Sequence, residues 1–212
     1  MIQSPAERAF SVGVVILAAG RSARMGRPKL LLPWNKTSVL GHLIAQWRAL
    51  GARQIAVVCA PGNRAIQAEL DRLGFPSKNR IHNPTPERGM FSSIQCAARW
   101  LGWQAALTHW AIVLGDQPHL QRRTLRRVLD FSAAQPAKVC QPARHGHARH
   151  PVLLPKTVFR QLGGSTAATL KEFLAARPGR IAWCEVDDPG LELDIDRPED
   201  YQQALQIGVN GS

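Results

Sequence analysis

Between residues 15 and 34 the chain reads VILAAGRSARMGRPKLLLPW. An apolar run ends in Ala18, Ala19 and Gly20, and the next nine positions carry Arg21, Arg24, Arg27 and Lys29 with no acid among them. Residues with almost no side chain let backbone N–H groups approach a ligand closely, and glycines at 20 and 26 permit turns at positive φ. Backbone donors joined by Arg24 and Lys29 form a cradle for a polyphosphate. Two other phosphate-binding patterns fail on spacing. Five residues separate Gly20 from Gly26 with no Lys-Ser behind them, which is not a P-loop, and no GxGxxG occurs. The plain alternative is a solvated basic loop, which leaves the coincidence of small residues and cations at a strand exit unexplained.

A carboxylate able to complement that cradle stands in AIVLGDQPHL, where Asp116 follows an apolar strand. Mg²⁺ takes oxygen ligands and is usually held by one or two carboxylates together with substrate phosphates and water. Asp116 could equally form an Asx-turn or a helix cap. LELDIDRPEDY supplies Asp194 and Asp196, two apart and so on one face of an extended segment. Pro198 suits the first turn of a following helix, which Asp196 could cap and whose first turn would favour Asp200. HGHARHP holds His145, His147 and His150, but Arg144 and Arg149 beside them would repel a cation, so no metal centre is read there.

These residues need a scaffold. The sequence has 212 residues, 45% of them hydrophobic, enough for one domain with a full core, its first ten residues read as a flexible N-terminus. Apolar runs of strand length alternate with helical patterns. Strands are expected at Val12 to Ala18, Gln54 to Ala60, Arg80 to Asn83 and Trp110 to Leu114. Helices are expected at Val39 to Leu50, Pro61 to Leu73, Ser92 to Trp100 and Arg122 to Phe131. Beyond that the pattern loosens, with strands at Lys138 to Gln141, Pro151 to Leu154 and Ile181 to Val186 and helices at Thr166 to Ala176 and Glu199 to Leu205. The alternation implies an α/β fold: a Rossmann-like, mostly parallel sheet with helices on both faces, binding its ligand beyond the carboxyl ends of the strands.

Composition excludes several classes. No apolar run is long enough to span a membrane and the N-terminus has no signal-peptide h-region, so a cytoplasmic protein is expected. Cys59, Cys96, Cys140 and Cys184 form no CxxC pair, which argues against zinc and dithiol chemistry. A net charge of +12 favours polyanionic partners, yet the cations are scattered, so phosphorylated small molecules are expected before nucleic acid.

The pattern L-A-A-G-x-S-x-R-M-G-x-x-K, met by Leu17, Ala18, Ala19, Gly20, Ser22, Arg24, Met25, Gly26 and Lys29, resembles the signature loop of the MobA-like nucleotidyltransferases. The resemblance runs on through HNPTPERGMFSSI, VLGDQPHL, RHPVLLP and LDIDRPEDY, and within the family it is nearest the molybdenum cofactor cytidylyltransferases. It implies Asp116 as the metal-binding acid, with Asp194 or Asp196, the latter favoured, as a second ligand of Mg²⁺. Asn83, Gly89 and Ser93 would lie against base or ribose, and His150 and Pro151 on the acceptor side. Arg149, where glycine is usual, and LGGSTAAT, which lacks the family's acid, depart from the pattern. The implied reaction moves CMP from CTP to the terminal phosphate of molybdopterin and releases pyrophosphate, with a molybdoenzyme or its chaperone as a further partner. Alternatives are a relative using GTP or another phosphorylated acceptor, and a non-catalytic basic module that binds nucleotide or nucleic acid.

Overall fold

A computed structural model describes residues 10–20, 25–177 and 179–210. Its centre is a run of parallel strands. β1 (Val12–Ala18) is flanked by β4 (Gln54–Cys59) and β6 (His109–Leu114), and β5 (Arg80–His82) follows β4. β4 is buried at every position, as expected of a parallel strand covered on both faces. Beyond β6 the order continues through β9 (Val152–Pro155), β7 (Val139–Arg144) and β10 (Ile181–Glu185), with the short β8 (His147–Ala148) paired to β7. β9 runs against this direction, antiparallel to both β6 and β7, and the two-residue β8 is antiparallel to β7. The mostly parallel sheet expected from the sequence is therefore what forms, and β5, β4, β1 and β6 all end on one edge.

Alternation along β1 divides the core in two. Val12, Val14, Ile16 and Ala18 pack on one side against α1 (Val39–Ala49), α2 (Arg64–Arg72), α4 (Arg122–Ala134) and α7 (Pro198–Asn210). Val15 points to the other side, toward α3 (Met90–Arg99), α5 (Lys156–Leu162) and α6 (Leu170–Ala175). Helices thus cover both faces. Cys59, Cys140 and Cys184 are buried free thiols inside these layers. Among the described residues no helix is long and apolar enough to cross a membrane.

Several boundaries differ from expectation for local reasons. α2 begins at Arg64 rather than Pro61, because Asn63 accepts the Ile66 amide at 3.2 Å and caps it. α3 begins at Met90, so Ser92 and Ser93 lie inside its first turn and neither caps it. The cap position belongs to Gly89, whose φ of 86° and ψ of −179° are all but confined to glycine. A small hairpin, β2 (Pro33–Trp34) with β3 (Thr37–Ser38), and α5 carry too few residues to register as patterns.

Candidate active site

The carboxyl ends of β1 and β6 lie side by side, with Leu17 opposite Leu114. Gly115, the residue after β6, lies tight against the backbone at the end of β1. A Cβ there would stand 2.6 Å from the Leu17 carbonyl oxygen and 2.8 Å from Leu30 Cδ2. Gly20, at the exit of β1, differs: its φ is not positive, contrary to the turn expected, and among the described residues a Cβ would meet nothing within 4 Å. Gly26 does take the left-handed turn, at φ 68°. Buried Met25, Leu30 and Leu32 then pin the returning segment to the core, and a single 3₁₀ turn, Lys29–Leu31, holds Lys29 at the mouth. Arg24, the other cation assigned to this loop, lies outside the described residues, as does Ser22.

Lys29 Nζ is 2.5 Å from Asp116 Oδ2 and 3.5 Å from Asp196 Oδ1. One ammonium group therefore bridges carboxylates from two distant segments. The second segment is stitched to the first by the Ile195 amide, which donates to the Asp116 carbonyl at 3.2 Å, and by the Gln117 side-chain amide, which donates to Asp194 Oδ1 at 2.9 Å. Asp200, in the first turn of α7, reaches back to accept the amides of Asp196 (3.0 Å) and Arg197 (2.7 Å), as the third residue of a capping box does, and fixes the backbone under Asp196. α7 itself is anchored on the hairpin, where the Tyr201 hydroxyl donates to the Pro33 carbonyl and its ring meets Trp34 edge-on.

Asp194 is held above the usual carboxylate range, first by partial desolvation and then by the neighbouring charges of Asp116 and Asp196. Three carboxylates in mutual electrostatic reach around one lysine call for additional positive charge. Asp116 Oδ1 is buried and has no hydrogen-bond partner among the described residues, so a strong acceptor is left facing the site. Among those residues no group of three or more potential ligands is assembled closely enough to cage a metal. The pair Asp116 and Asp196 instead fits an ion that takes two carboxylates and completes its shell from phosphate and water.

A cavity of about 250 Å³ opens above this cluster. Leu17, Ala19 and Gly20 from the β1 exit, and Gly89, Met90 and Ser93 from the start of α3, form its walls, with Lys29 and Asp116 at one end. Ala18, between Leu17 and Ala19, faces the core instead, as alternation requires. Asn83 is fully buried. Its amide donates to the hydroxyls of Ser92 (2.8 Å) and Ser93 (2.9 Å), and its carbonyl accepts the Thr85 amide at 3.0 Å. Asn83 therefore ties the loop after β5 to α3 from behind the wall.

Met90 also borders a second cavity of about 600 Å³, walled by β8, β10 and α6. His150 lines it; its Nδ1 sits 3.3 Å from the Ile112 carbonyl, and burial holds its pKa below the ordinary histidine value. Pro151 is buried on the side of Leu43 and Trp47 and does not line this cavity. Gln117, Gly115 and Asp200 escaped notice as site residues in the sequence, although the first two lie inside the quoted VLGDQPHL.

The class of protein follows from these features. A cavity at the carboxyl edge of a mostly parallel sheet, built of small residues and ending in a lysine between aspartates, belongs to a nucleotidyltransferase. The sequence profile of the MobA-like NTP transferase domain matches residues 14–181, and the chain belongs to that family. It is 26% identical to the molybdenum cofactor cytidylyltransferase of Escherichia coli, over 92% of this chain and 96% of that protein. The structure of Rv0371c from Mycobacterium tuberculosis in complex with manganese superposes with a TM-score of 0.69 at 26% identity, covering 93% of this chain and 99% of that one. A nucleotidyl transferase from Methanothermobacter shares the fold, with a TM-score of 0.76 at 21% identity over 95% and 99% of the two chains.

Proposed function

We propose that the protein transfers CMP from CTP to the terminal phosphate of a molybdopterin-type acceptor and releases pyrophosphate. The observation that carries this reading is the bridge from Lys29 to Asp116 and Asp196 at the end of the smaller cavity. A phosphate monoester has a second pKa near ~6, so the acceptor arrives at neutral pH largely as a dianion and needs no protein base. Its oxygen attacks the α-phosphorus while the bond from that phosphorus to the bridging oxygen breaks. The chain's task is then positioning and charge neutralisation. Lys29, with Arg24 by resemblance, would hold the triphosphate, and the open backbone at Gly20 would let it approach.

Asp116 and Asp196 would hold Mg²⁺, which when bound offsets charge on the triphosphate. The manganese complex of the mycobacterial relative supports a divalent ion in the family. Leu17, Ala19, Gly89 and Ser93 would contact the nucleoside, while Ala18 and Asn83 hold those walls in place. Support for a pyrimidine comes from Ala19, whose methyl borders the cavity and would crowd a purine packed there. A methyl-sized contact yields only about 10- to 200-fold selectivity. Competition between CTP and GTP at equal concentration, with purified molybdopterin and the product identified by mass, tests the reading. A guanylyl product would overturn the cytidylyl assignment, and absence of pyrophosphate release with either nucleotide would overturn the reaction.

A further inference from the structure

The loop that leaves β6 and the segment that carries Asp194 and Asp196 run side by side in opposite directions. The Ile195 amide donates to the Asp116 carbonyl, and the Gln117 side chain donates to Asp194 Oδ1. Further along, His119 Nε2 lies 2.9 Å from the Gly190 carbonyl oxygen, and the Gln121 amide donates to Asp188 Oδ2 at 3.1 Å. The first two links engage Asp116 and Asp194 themselves. The other two lie beyond the acids, and the outermost is closed by Asp188, whose exposure is 0%. Its second oxygen, Oδ1, accepts the Gly190 amide at 2.9 Å and starts the 3₁₀ turn Pro189–Glu192. Packing there is close: a Cβ on Gly190 would stand 2.9 Å from His119 Cδ2 and 3.0 Å from Asp188 Oδ1.

Burying an acid completely is costly, and an uncharged side chain could cap such a turn with far less desolvation. What Asp188 offers and an asparagine lacks is a pair of acceptor oxygens, and here they face amides of two different segments. Gln121 is also the N-cap position of α4, where the helix dipole favours a carboxylate. We propose that Asp188 is a positioning residue. By fastening the loop after β6 to the segment from 188 to 196, it sets the separation of Asp116 and Asp196 and so their joint affinity for a divalent cation. The inference rests on the nucleotidyltransferase reading and deepens it by naming what holds the two acids in register.

The test titrates Mn²⁺ into the full chain with CTP present and follows the free ion by electron paramagnetic resonance. Asp188→Asn should bind Mn²⁺ about 10-fold or more weakly, the scale for losing a group that orients a metal ligand. CTP affinity in EDTA and near-ultraviolet circular dichroism should stay those of the wild type. A merely structural acid would shift the urea midpoint and leave the Mn²⁺ affinity of the folded protein alone. Gln121→Pro deletes the donor of the same bond at a φ of −67°, which proline imposes, and leaves the carboxylate in place. It should weaken Mn²⁺ in the same direction by a smaller factor, and it decides the matter if Asp188→Asn does not fold. Wild-type Mn²⁺ affinity in folded Asp188→Asn, or in Gln121→Pro where the first variant unfolds, would overturn the positioning role. Failure of the wild-type chain to bind Mn²⁺ in the presence of CTP would instead strike at the nucleotidyltransferase reading.

Discussion

The ammonium of Lys29 lies 2.5 Å from Asp116 Oδ2, joining residues 87 positions apart in the chain, and it also reaches Asp196. One cation therefore organises the carboxylates that would otherwise repel one another at the end of β6. The proposed reaction would therefore depend on both partners. Asp116→Asn should lower turnover by about 10²- to 10³-fold while near-ultraviolet circular dichroism stays native. Lys29→Ala should cost about 2 to 4 kcal/mol in kcat/KM, and Lys29→Arg should not restore it, because a planar fork cannot occupy the place of a compact ammonium. Near-normal rates in Asp116→Asn at saturating Mg²⁺ would refute the site.

Asp194 and Asp196 are separated by their partners. Asp194 accepts from Gln117, whereas Asp196 shares Lys29 with Asp116. Mn²⁺ affinity in the presence of CTP, read by electron paramagnetic resonance, should fall roughly ten-fold or more in Asp196→Asn, and by less in Asp194→Asn. The reverse order would exchange the roles of the two acids.

Gly115→Ala puts a methyl 2.6 Å from a backbone oxygen that cannot move without disturbing β1. The substitution should destabilise the protein by about 1 to 3 kcal/mol in urea unfolding and weaken CTP binding, since the same overlap presses on Leu30 beside Lys29. An unchanged midpoint together with unchanged affinity would mean that the two strand exits can move apart at Gly115 without cost.

Acid sensitivity follows from buried histidines. Burial lowers the pKa of His109 and His119, although the carbonyls of Pro136 and Gly190 oppose this. The unfolded chain therefore binds protons near pH ~6.5 that the folded chain refuses until lower pH. Stability should be full above pH ~6.5 and fall as pH drops from there through the lowered folded pKa values. Urea midpoints between pH 7.5 and 5 measure this, and the slope should be smaller in His109→Gln. A midpoint that rises on acidification over that range would contradict the sign.

Much of the scaffold is legible locally. β1, β4 and β6 are apolar apart from Gln54 and His109 at the first positions of β4 and β6, and burial on both faces is the reason they read so clearly. The helices that flank them show their apolar stripes for the same reason. α5 escapes because it starts directly after β9 at Lys156, with Pro155 the single break between them, and offers only Val158, Phe159 and Leu162 as a face. The two-residue strands of the hairpin are too short to carry any period.

For the site, residue chemistry and tertiary packing divide the work. The sequence by itself determined that small residues and cations follow β1 and that an acid follows β6, because both depend only on what lies next to an apolar strand. It equally determined that Pro198 opens a helix. Only the folded chain decided that Asp196 joins Asp116 at Lys29, since that depends on α7 docking through Tyr201 onto the hairpin and on Asp200 fixing the backbone under Asp196. Only the fold turned Asn83 and Ala18 inward to support the cavity wall, and left Trp183 exposed at a second cavity. Such pairings join residues up to 168 positions apart. No short-range pattern encodes them, because they arise from which helices share a face of the sheet.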